Sequence, residues 1–72
     1  MENTIREASG GIAEEYRKME VGETVAFPLA QYNYNSVRSA SGTTLVREKL
    51  KGWRWSCHID YGRKCVFVTR TS

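Results

Sequence analysis

From Trp53 to Asp60 the chain alternates apolar and polar residues one by one, and this run constrains the fold more than any other. Trp53, Trp55, Cys57 and Ile59 alternate with Arg54, Ser56, His58 and Asp60, the period of two that marks a half-buried strand. Asp60-Tyr61-Gly62-Arg63 reads as a turn, with Gly62 free to take positive φ. Residues 64–70, Lys-Cys-Val-Phe-Val-Thr-Arg, return as a second strand. A two-residue turn at Tyr61-Gly62 pairs Cys57 with Val66 and Trp55 with Val68. A three-residue loop instead opposes Cys57 to Cys65 and Trp55 to Phe67. The first register collects Ile59, Val66 and Val68 on one apolar face and is the one expected. It keeps Cys57 and Cys65 apart as small, buried, free thiols rather than a disulfide.

Upstream, the period changes. Thr4-Ile5-Arg6-Glu7 fits a capping box, and Gly10-Gly11 then interrupts the helix it would start. Ser9 is available to restart it. Ile12, Tyr16 and Met19 form one apolar stripe at helical spacing, better suited to packing on the chain's own sheet than to dimerisation. Gly22 suits the position just past the helix end. Thr24-Val25-Ala26-Phe27-Pro28 reads as a strand with Val25 and Phe27 inward, ending at Pro28, which has no amide hydrogen for a ladder. Residues 31–35 read as a polar-aromatic loop in which Asn33 or Asn35 caps the next helix. That helix changes phase. Val37, Ala40, Ser41 and Thr44 share one face, whereas Leu45, Val46, Lys49 and Leu50 lie on another. Either it kinks at Gly42 or a second short helix starts near Thr43-Thr44, with Gly52 closing it.

The fold class expected is α+β: an N-terminal helix followed by a β-α-β-β core, with a three-stranded antiparallel sheet and helices on one face. Seventy-two residues make a single small domain (1–72), with residues 1–10 as a flexible leader. So short a chain buries only about 60% of its unfolded surface, which favours a homodimer. No apolar run reaches the roughly 20 residues that span a bilayer. The first residues lack the basic and apolar regions of a secretory signal, so a cytoplasmic location is expected.

The charge is unevenly divided. Residues 1–24 hold six acids against three bases, a net −3, whereas residues 25–72 hold eight bases against Glu48 and Asp60, a net +6. A basic body with aromatics among its cations points to a polyanion. The residues expected to bind nucleic acid are Arg38 on the helix, Lys51, Trp53 and Arg54 where the hairpin begins, and Arg63 and Lys64 at its turn; Arg47 and Lys49 are further cations nearby. Trp53 would add a stacking contact. Ser56, His58 and Asp60 share a strand face, but alternate strand residues sit roughly 6.5–7 Å apart, too far for proton transfer. No enzyme activity is expected. Cys57, His58 and Cys65 lack the paired short spacings of a zinc site, so neither a metal nor another cofactor is expected, nor a small-molecule substrate.

Asn35-Ser36-Val37-Arg38-Ser39-Ala40, Trp55-Ser56 and Val66-Phe67-Val68-Thr69-Arg70 together resemble a group of small bacterial and phage proteins of mobile-element type. These share that helix start, an aromatic-Ser pair and a Val-x-Val-x-Arg strand. The likeness covers roughly the second half of the chain, and Gly42 with Thr43-Thr44 departs from the regular helix of that group. It implies a β-α-β-β core and a nucleic-acid partner. The function expected is a small nucleic-acid-binding module, DNA above all, acting through phosphates. The alternative is a homodimeric protein-interaction module without nucleic acid.

Overall fold

Phe27 and Val25 are fully buried while their neighbours on the strand are not, and the sheet is built around this alternation. The computed structural model describes residues 5–72, apart from the side chain of Ser41. In chain order the elements are β1 (Arg6–Glu7), α1 (Ile12–Lys18), β2 (Thr24–Pro28), α2 (Tyr34–Thr43), α3 (Val46–Leu50), β3 (Trp55–Asp60) and β4 (Cys65–Arg70). The fold is α+β.

The sheet has four strands rather than three, in the order β1-β2-β4-β3. β2, β4 and β3 form the expected antiparallel set, and β1 adds a parallel edge to β2. This corrects the reading of Arg6–Glu7 as helix. Between a cap near residue 4 and the Gly10-Gly11 break there is room for barely one turn, too short to hold. The extended form instead lets Ala8 N–H bond Ala26 O at 2.8 Å and buries Ala8. Residues 6–10 are therefore part of the domain and not a leader; Thr4, the expected cap, lies outside the described residues.

α1 starts at Gly11 without a side-chain cap, so Ser9 does not serve as one. Glu15 does related work from inside the helix, accepting the Ser9 and Gly10 amides while pairing with Arg6. Glu14 and Glu15 sit at the positive end of the helix dipole and Arg17 and Lys18 at the negative end. The helix closes at Met19, three residues before Gly22, whose φ of 90° serves the turn into β2. Tyr16 and Met19 pack on the chain's own sheet, with the Tyr16 ring 5.9 Å from Phe27 and 5.3 Å from Trp55.

Asn33 caps α2, its carboxamide oxygen accepting the Asn35 and Ser36 amides. Of the two forms expected for the phase change, two helices are observed. Thr44 and Leu45 separate α2 from α3, and Leu45 turns fully into the core beside Val37. Gly52, with φ of 100°, reverses the chain toward β3.

The hairpin keeps its faces but not its register. Cys57 lies opposite Val68 and Ile59 opposite Val66, so the loop is four residues, Tyr61–Lys64, rather than two. Lys64, not Gly62, takes the positive φ (55°), and the Asp60 carboxylate accepts the Arg63 amide at 3.0 Å. A shift of two residues preserves which side each residue faces. Trp55, Cys57 and Ile59 still look toward the helices, and Cys65 looks the other way. Both thiols are free.

The helices cover one face of the sheet. The other carries the row Glu7, Ala26, Phe67 and His58 across all four strands, with no described element above it. Within the core, the Tyr16 hydroxyl donates to the Val37 carbonyl at 2.5 Å and lies 3.4 Å from Cys57 Sγ. Burial and the neighbouring thiol push the phenol's pKa far up, so it stays a neutral donor. Tyr16→Phe leaves the Val37 carbonyl buried without that donor, and urea unfolding should register a loss of about 1–2 kcal/mol.

Candidate nucleic-acid interface

The cations of the basic half divide according to whether they already have partners. Arg63 lies 3.9 Å from Asp60 and 5.9 Å from the Phe67 ring centre. Arg70 is held by the Met19 and Ser72 carbonyls and stacks on Trp53 at 3.7 Å. Arg38, Arg47, Lys49, Lys51, Arg54 and Lys64 make no ion pair among the described residues.

Among the described residues, the acids of the N-terminal half pair with none of these six cations. Glu15 and Glu23 both bind Arg6, a base of their own segment. Among the described residues one ion pair crosses between the halves, Arg17 to Glu48 at 3.1 Å. It runs opposite to the charge split: the acidic half contributes the base and the basic half the acid. Hydrogen bonding to its own backbone amide, helped by the Arg17 guanidinium and the Lys51 charge, holds the Glu48 carboxyl below its ordinary value against the burial that raises it. The segment from α2 to the start of β3 is left with five cations and a single acid that is already engaged.

Local structure groups these cations. Arg54 donates to the Lys49 and Trp53 carbonyls at 3.0 and 2.8 Å, so its side chain folds back over the carbonyl end of α3, next to Lys49 and Lys51. Arg38 projects from α2 in a row with Asn35, Ser39, Gly42 and Thr43. Among the described residues, these five line a depression of about 440 Å³. No protein-family model, curated protein or solved structure matches this chain. The row on α2 holds no carboxylate and mixes an arginine with small hydrogen-bonding groups, the side-chain types that meet phosphates and base edges. Its signal in the sequence is the spacing i, i+3, i+4, i+7, i+8 from Asn35, on the opposite side from Val37 and Ala40.

Not all six expected residues fall together. Arg63 and Lys64 sit on the loop at one end of β3, and Lys51, Trp53 and Arg54 at the other. Five strand steps, about 17 Å at roughly 3.4 Å each, separate the two groups. Trp53 is half-buried, with Arg70 over one ring face and Trp55 5.9 Å away. It is a packing element that anchors Arg70, with that face closed to an incoming base.

Proposed function

We propose that this protein binds duplex DNA chiefly through phosphates, on the surface formed by α2, α3 and the link to β3. Arg38, Arg47, Lys49, Lys51 and Arg54 supply the charge, and Asn35 and Ser39 add neutral donors along α2, the Thr43 hydroxyl being spent on the Ser39 carbonyl. One observation carries this reading: the only acid in the sequence from Tyr34 to Arg54, Glu48, is already bound by Arg17, against five cations in the same segment. Arg63 and Lys64 form a second, distant pair, and Trp53 is assigned no base contact.

Phosphate binding releases counterions, so affinity should fall with salt in proportion to the contacts made. With about four phosphates engaged, affinity for a 20-base-pair duplex should drop roughly 100-fold between 50 and 200 mM salt. Fluorescence anisotropy of a labelled duplex measures this directly. No binding at 50 mM salt, or binding indifferent to salt, overturns the reading.

A further inference from the structure

We propose that two copies of this chain pair through the outer edge of β3, antiparallel about a two-fold axis at Cys57, giving a continuous eight-stranded sheet. β3 ends the strand order, and its outer edge pairs with no described strand. Arg54 exchanges backbone bonds with Thr71 and Ser72. By the alternation of an antiparallel ladder, Ser56, His58 and Asp60 then bond inward to β4, and the amides and carbonyls of Trp55, Cys57 and Ile59 point outward. The six residues Trp55–Asp60 contain none of the proline or lysine that usually blunts an edge.

The occupant follows from self-complementarity. With Cys57 opposite its own copy, Trp55 faces Ile59 of the partner copy, and Ser56 faces the partner's His58. Arg54 then meets the partner's Asp60, an attractive pair repeated twice by symmetry. Trp53 meets the partner's Tyr61, a residue 78% exposed in the single chain. Beyond them, Lys51 of one copy comes beside Arg63 and Lys64 of the other. The two basic groups that lie at opposite ends of β3 in one chain become neighbours in the pair. This last consequence rests on the DNA reading for its use; the pairing itself does not.

Ser56 and His58 test the register because both are exposed and lie opposite each other only across this axis. In S56E/H58K the cross-copy pairs are attractive, and in S56E/H58E they are repulsive. Sedimentation without nucleic acid should show a dimer for the natural chain at up to about 1 mM. The two variants should then differ by roughly tenfold or more in dimer dissociation constant, from a few tenths to 1 kcal/mol per pair. S56E/H58E has the smaller net charge, so ordinary charge repulsion predicts the opposite order. A strict monomer, equal association of the two variants, or tighter association of S56E/H58E overturns the proposal, and none of these bears on DNA binding.

Discussion

Glu15→Ala is expected to be the most damaging single substitution of a polar residue in this fold, at about 2–3 kcal/mol. The Glu15 side chain is 1% exposed, and its carboxylate answers three donors: the Arg6 guanidinium and the Ser9 and Gly10 amides. Removing one member of a buried pair typically costs about 3–5 kcal/mol. The lower value applies because Arg6 is 35% exposed and keeps Glu23. For a chain of this size each kcal/mol lowers Tm by roughly 4–8 °C. Chemical and thermal unfolding should therefore show a large loss, and a change within 0.5 kcal/mol would remove Glu15 as the organiser of residues 6–15.

The same site sets a pH dependence. Burial raises the Glu15 carboxyl, but the bond from Arg6 and the two amides together outweigh it and hold the group below its usual 4.5. A carboxyl depressed in the folded state contributes stability that is complete above its unfolded value and lost as pH falls through the folded one. Stability should decline as pH drops below about 4.5, and Glu15→Gln, which keeps an acceptor for the amides, should flatten that decline.

These residues also show why part of the fold was legible in the sequence and part was not. Alternation in the hairpin assigns Trp55, Cys57 and Ile59 to the helix face whatever the loop length, because period two survives a shift of two. Loop length was not readable from Gly62. It is decided by the Asp60 carboxylate on the Arg63 amide and by Lys64 accepting positive φ, and both choices emerge only once the turn closes. β1 has two residues and so no period at all. Its extended state follows from β2 and Glu15, partners far along the chain. In the interface, the excess of cations could be counted directly. Their distribution could not, since it depends on which of them find partners: Arg70 stacks on Trp53 because β4 sets Arg70 opposite Trp55.

Reversing two charges on the α2–α3 surface should reduce DNA affinity far more than reversing two at the hairpin loop. R38E/K51E and R63E/K64E change the net charge equally, so any loss from overall charge is common to both. The first pair lies on the proposed α2–α3 surface and makes no side-chain bond among the described residues, so its stability should stay within about 1 kcal/mol. Each lost phosphate contact lowers the salt slope by about 0.9. R38E/K51E should cost roughly 50- to 100-fold at 50 mM salt and reduce the slope by about 1.8. R63E/K64E, measured at protein concentrations where the chain is monomeric, should cost less than about fivefold, since its cations lie a strand's length away. Equal losses would mean that net charge alone attracts the DNA and that no surface is specified. At concentrations where two copies pair through β3, the loop cations join Lys51 of the neighbouring copy. The cost of R63E/K64E should then rise toward that of the helix pair, which makes its concentration dependence a readout of whether the two basic groups have been brought together.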